Sequence, residues 1–168
     1  SLENGKLTIG CPSHITEFFL MEKLIELVHN YPNIEVKLDT ESDSRKMIEE
    51  LKNNEIDFVI LDTIPDEYKN ELEIDELEKI ENIFVANRKI EIDNLQELQD
   101  YRFILSYDDR VSTKRLWETL QERELKMKVT LKCPTTEQRI SAAKGGVGLA
   151  YIMKEAAKKE IENGELYE

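Results

Sequence analysis

The chain has 168 residues, 40% of them hydrophobic, and sets 36 acidic against 23 basic side chains for a formal net charge of −13. That length makes one ordinary domain or two small lobes with a real core. No apolar run approaches the roughly 20 residues of a membrane span, no charged start with an apolar stretch marks a signal peptide, and so acidic a surface repels nucleic-acid phosphates.

The opening "SLENG" reads as a linker. "KLTIG" (Lys6–Gly10) is then a short strand. The stretch "ITEFFLMEKLIELVHNY" repeats apolar residues at the helical period, with Ile15, Phe18, Phe19, Leu24, Leu27, Val28 and Tyr31 inward. Pro32 ends that helix by clashing with the residue before it. "IEVKL" (Ile34–Leu38) alternates and reads as a strand. "SRKMIEELKNN" is a short amphipathic helix with Met47, Ile48 and Leu51 inward and Asp43 or Ser44 as cap. "DFVIL" (Asp57–Leu61) is a continuous apolar run bounded by charge, as in a buried parallel strand.

A longer strand is predicted near Ile80–Ala86 and a short helix within "IDNLQELQDY". "RFILSY" (Arg102–Tyr107) starts a second series: helix "STKRLWETLQER", strand "MKVTLKC", helix "TEQRISAAK", strand "VGLAYI" and helix "KEAAKKEI". The basic cluster Lys126–Lys132 alternates like the wet face of a strand. Two successive α/β series imply two lobes, each a mainly parallel sheet with right-handed crossovers flanked by helices. We place lobe I at 5–86 and lobe II at 87–168.

In open α/β sheets ligands bind beyond the carboxyl ends of strands. That rule selects Cys11–Ile15, Thr40–Ser44, Asp62–Thr63, Ser106–Asp109 and Cys133–Thr136. Hydroxyl residues recur in them: Ser13, Ser42, Thr63, Ser106, Thr135 and Thr136. Such a hydroxyl can cap the following helix or share its N-terminus with a bound anion. Asp62, Asp108 and Asp109 favour instead an amine or hydroxyl on a ligand, or closing hydrogen bonds. The only cysteines, Cys11 and Cys133, sit in the matching stretches "CPSH" and "CPTT". Cys11, His14 and Cys133 offer soft metal ligands or a thiol relay on spacing alone, against small buried residues at strand ends as the plainer reading. No CxxC spacing or disulfide-dense pattern occurs, which fits a reducing, cytoplasmic setting. "KGGVGLA" (Lys144–Ala150) runs from helix to strand, the reverse of a phosphate loop, so Gly145 reads as a left-handed helix cap. Trp117 and Phe103 read as core.

Taken in order, "GKLTIG", "LMEKLIELVHNYPNIEVKL", "LKNNEIDFVIL", "NLQELQDYRFIL" and "AAKGGVGLAYIM" resemble the effector-binding domain of LysR-type transcriptional regulators over nearly the whole chain. Met21 and Met153 stand where the family usually has proline. The resemblance implies a two-lobed type-II periplasmic-binding-protein-like α/β fold, with a small-molecule effector, a metabolite or small anion, held between the lobes. It implies ligand contacts at Pro12, Ser13, His14, Thr40, Asp62, Ser106, Thr135 and Thr136, with no cofactor, metal or catalytic residue. Asp62 stands where many members carry a neutral or basic residue, which argues against a simple dicarboxylate. It also implies a homodimer or homotetramer pairing the first helix with sheet elements of another copy. DNA contact would come only through a winged helix-turn-helix, which this stretch lacks, and no membrane contact is expected. By the same resemblance the piece is truncated at both ends, lacking the segment that returns to lobe I. The competing readings are a solute-binding protein, which needs a leader or lipid anchor, and a two-lobed enzyme, which needs an acid/base pair that His14 alone does not supply.

Overall fold

Alternating strands and helices make crossovers the default geometry, and the computed structural model shows them. It describes residues 5–108 and 110–168; linker residues 1–4 and Asp109 lie outside the described residues. The chain divides into two compact units, Ser1–Glu78 and Lys79–Glu168.

In the first unit β1 (Gly5–Gly10) lies between β2 (Ile34–Asp39) and β3 (Phe58–Val59), both parallel to it, in the order β2-β1-β3. β3 is shorter and wetter than the apolar run "DFVIL" implied. Only Phe58 and Val59 pair, and Phe58 is 59% exposed. An edge strand covered on one side does not bury every side chain. The first helical run starts as α1 (Ser13–Ile15), passes through a π-helical segment (Thr16–Leu20) and continues as α2 (Met21–Asn30). Sequence periodicity predicts a single α-helix. A π segment replaces the i→i+4 bonds of the α-helix with i→i+5 bonds. Ile15 and Leu24 are buried as expected, but Val28 and Tyr31 are exposed together with Met21 and Ile25. α3 (Ser44–Lys52) buries Met47 and Ile48. Asp43 is its cap, accepting from the Lys46 N–H at 2.9 Å. Asp43→Ala is expected to cost about 1 kcal/mol in urea unfolding, because that donor loses its acceptor.

The second unit has the strand order β4-β7-β5-β6, with β4 (Asn82–Val85), β5 (Arg102–Leu105), β6 (Lys128–Lys132) and β7 (Leu149–Met153). β5 pairs in parallel with β6 and β7, whereas β4 is antiparallel to β7. The strand predicted near Ile80–Ala86 therefore belongs to this sheet. That is why the unit begins at Lys79 and not at the 86/87 boundary read from the sequence. Ala86 and Tyr167 exchange two backbone hydrogen bonds of 2.8 and 3.0 Å, so residues at the C-terminal end pair beside β4. β6 carries a bulge: Val129 pairs with Phe103 and Leu131 with Ile104, leaving Thr130 extra. One extra residue turns every later side chain of the strand to the opposite face. Leu131 is consequently exposed, against the simple alternation of the sequence.

α4 (Val111–Glu122), α5 (Thr136–Lys144) and α6 (Lys154–Glu162) complete the unit. Phe103 is fully buried with Leu105, Leu116, Leu120 and Leu149 around it. Phe84 meets its ring edge-on at 5.6 Å, the arrangement ring quadrupoles favour. Trp117 is only half-buried, since its indole N–H reaches Asp108 Oδ1 at 3.1 Å. Among the described residues no helix is long and apolar enough to cross a membrane.

Candidate functional site

In the first unit the β1 ladder extends one step beyond Gly10, as the Cys11 N–H donates to Asp39 O at 2.9 Å. Pro12 then adopts φ −53° and ψ 145°, the φ its ring requires. The N–H groups of Ile15 and Thr16 donate to Pro12 O. The Thr16 hydroxyl lies 3.1 Å from both Cys11 O and Pro12 O. Ser13 is exposed at the first helical position and no side chain caps this terminus. His14 Nε2 lies 3.5 Å from Asp62 Oδ2. The fold thus brings the turns after β1 and β3 together.

The Asp62 side chain is 30% exposed. Burial pushes its carboxyl up, but His14 and the backbone N–H groups of Asp62 and Thr63 outweigh it and hold it below the usual carboxylate range. A lowered folded pKa contributes stability that is present above the ordinary Asp value and lost as pH falls through the lowered one. Asp62→Asn is therefore expected to flatten the acid limb of a urea-stability profile below about pH 4 and to leave the neutral limb nearly parallel. Beside it, the Thr63 hydroxyl is buried without a partner among the described residues.

Thr40 sits elsewhere in this unit. The Asp39 carboxylate accepts from the N–H groups of Glu41 and Ser42 at 3.2 and 3.1 Å, turning the chain after β2. Thr40 lines an open cavity of about 500 Å³ with Thr8, Asp39, Glu41, Glu50 and Glu55, and neither His14 nor Asp62 is part of that wall.

In the second unit the Cys133 N–H donates to Leu105 O at 3.0 Å, setting the turn after β6 beside the end of β5. Ser106 and Thr136 are both buried there. Thr135 caps α5 with a reciprocal box: its hydroxyl accepts from the Gln138 N–H at 3.2 Å, and Gln138 Oε1 accepts from the Thr135 N–H at 3.3 Å. Asp108 is engaged by Lys132 Nζ at 3.0 Å as well as by Trp117.

The residue that sequence reasoning missed is Arg139, 9% exposed. Its Nη1 donates to Cys133 O at 2.9 Å and its Nη2 to Thr136 Oγ1 at 3.1 Å, while its Nε is buried without a partner among the described residues. Burial pulls the guanidinium below its ordinary range. Thr136, Arg139, Ile140 and Ala143 form the buried stripe of α5, and one of its members is a cation. Both cysteines are buried free thiols. Burial pushes each thiol up, which disfavours the thiolate that redox or nucleophilic chemistry needs.

The sequence profile described as "LysR substrate binding domain" matches residues 1–168. Curated relatives include a probable RuBisCO transcriptional regulator of Guillardia theta, 30% identical over 99% of this chain and 56% of that protein. Another of the same name from Nostoc sp. is 27% identical over 99% of this chain and 52% of its own length. The chain spans about half the length of the curated relatives it matches. Among solved structures, the regulatory domain of CcmR from Synechocystis, in complex with 2-PG, superposes with a TM-score of 0.73 at 20% identity, covering 97% of this chain and 79% of that one. The effector-binding domain of QuiR, in complex with shikimate, gives 0.74 at 15% identity over 97% and 78%. At these identities the likeness establishes the fold.

Proposed function

Because the chain belongs to the LysR substrate-binding-domain family, we propose that it is the effector-sensing part of a LysR-type transcriptional regulator working in the cytoplasm. The profile match over residues 1–168 carries this reading. The names of the relatives as transcriptional regulators support it. So do similarly folded domains that hold 2-PG and shikimate. The role is binding, not catalysis.

Effector contacts are assigned to the strand-to-helix turns: Pro12, Ser13, His14, Thr40 and Asp62 in the first unit, and Ser106, Thr135 and Thr136 in the second. A hydroxyl that already accepts from a backbone or guanidinium N–H still has its own proton to donate. Ligand acts by differential affinity for two states of the regulator. DNA binding belongs to a winged helix-turn-helix in the remaining half of such a protein.

The test is a thermal-shift screen of metabolites, begun with 2-PG and shikimate, on wild type and on a Thr135→Val/Thr136→Val variant. A true effector at a hundredfold excess over its Kd stabilises wild type by about 2.7 kcal/mol, and the variant is expected to lose most of that gain. Equal stabilisation of both proteins removes these threonines from the site.

Self-association is part of the same reading. Met21, Ile25 and Val28 make an apolar stripe along α2, with Ile25 53% exposed, and a homodimer or homotetramer would cover it. Size-exclusion chromatography with light scattering is expected to show a dimer or tetramer, and Ile25→Glu a monomer. A monomeric wild type would favour a solute-binding protein instead.

A further inference from the structure

We propose that Arg139 and the N-terminus of α5 form an oxyanion subsite that takes the carboxylate, phosphate or sulfate group of the effector. The inference rests on the effector-binding reading and narrows it to an anionic ligand class.

A buried guanidinium is costly unless an anion answers it. Arg139 has none among the described residues: its two acceptors, Cys133 O and Thr136 Oγ1, are both neutral. Those bonds use two of the five N–H donors of a guanidinium, and the buried Nε is left over. The described acid of the neighbouring turn, Asp108, is held by Lys132 and Trp117. The surroundings add positive potential. Arg110 is close enough to oppose the charge of Arg139, and the α5 terminus presents N–H groups and the positive end of its dipole. Such a spot is unusual in a chain of net charge −13. Thr136 accepts from Arg139 and so keeps its hydroxyl proton for a third party. A planar fork of donors beside a hydroxyl and helix N–H groups matches the oxygens of a carboxylate, phosphate or sulfate. A bracing role alone leaves unexplained why no acid among the described residues answers the charge.

The test uses the 168-residue chain, wild type and Arg139→Gln, titrated with phosphate, sulfate and malonate against chloride at constant ionic strength, read by melting temperature and calorimetry. Wild type is expected to gain stability with at least one oxyanion and none with chloride. Arg139→Gln is expected to weaken that oxyanion by roughly tenfold or more, while melting no lower than wild type in chloride because a buried charge with no acid against it among the described residues is gone. If Arg139→Gln does not fold, Arg139→Lys carries the comparison: it keeps the charge, loses the fork and is expected to bind the oxyanion more weakly. The proposal is overturned if no oxyanion stabilises wild type, or if the folded variant binds it as well as wild type does. It is also overturned if Arg139→Gln melts lower in chloride yet retains its oxyanion shift, which is the signature of a brace. A neutral metabolite that stabilises wild type and Arg139→Gln equally sinks this subsite but leaves the effector-binding reading standing. Failure of every metabolite and every oxyanion sinks both.

Discussion

Phe103→Ala should be the most damaging single truncation described here, costing the second unit about 3–5 kcal/mol. Phe103 has no exposed surface, lies at the middle of the sheet on β5 and packs among Leu105, Leu116, Leu120 and Leu149. Truncation removes the transfer energy of the ring and the edge-on contact with Phe84. The surrounding strands are tied in register to β6 and β7, so they cannot close the cavity. Because typical domains are stable by only about 5–15 kcal/mol, a urea titration should show a large fall in midpoint. A loss below about 1.5 kcal/mol would mean that the site collapses freely and that the register does not hold the core.

The second large effect is a gradient across "GGVG". Gly145→Ala should be neutral or stabilise by about 0.4–1 kcal/mol. Its φ is −74°, and the nearest atoms to an added Cβ are 3.5 Å away. Gly146→Ala should cost about 1–2 kcal/mol, because φ is +76° and the new Cβ would lie 2.9 Å from Asn87 Nδ2. Gly148→Ala should cost the most, about 1–3 kcal/mol or more. Its Cβ would stand 2.5 Å from Arg102 O and 2.9 Å from Arg102 C. Those are backbone atoms of β5, so relief requires β7 to move off its Phe103↔Leu149 register. Thermal unfolding of the three variants orders them, and a Gly148→Ala as stable as Gly145→Ala would refute the close approach.

That motif also shows how far a sequence reading reaches. Its direction, helix to strand, excluded a phosphate loop and called for a left-handed cap. The cap falls at Gly146, one residue later than expected. The Gly146 N–H reaches Ala143 O at 3.0 Å and the Val147 N–H reaches Ala142 O at 3.2 Å, while Gly145 stays right-handed. Which of two adjacent glycines turns left depends on where the last helical bond closes, and composition does not carry that. The same holds for the first helix. Its apolar spacing announced a helix, but neither the π segment at Thr16–Leu20 nor the exposure of Val28 and Tyr31 was legible in it.

At the candidate site, the hydroxyls at the ends of β5 and β6 were legible because strand-to-helix turns have a local signature. Thr135 became a cap and Thr136 a partner of Arg139, two roles that identical residue types one position apart do not announce. The nearness of His14 to Asp62 needed two strands aligned by the sheet, since the two residues are 62 − 14 = 48 positions apart in the chain. Arg139 was hidden because Arg on a helix is ordinarily solvated. Only the burial of its stripe reveals a charge that no acid answers among the described residues.

The amino-acid sequence alone determined the alternation of strands and helices, the capped start of α3, the mainly parallel character of both sheets and the family resemblance. Each of these rests on local periodicity, on turn chemistry or on the order of motifs along the chain. Tertiary structure decided that the strand near residue 82 joins the second sheet, that β3 is a wet edge, and that a bulge at Thr130 turns Leu131 outward. It also decided that a cation on α5 is buried against Cys133 O. These outcomes depend on pairing and burial between segments far apart in the chain, and neither is encoded in a short window of residues.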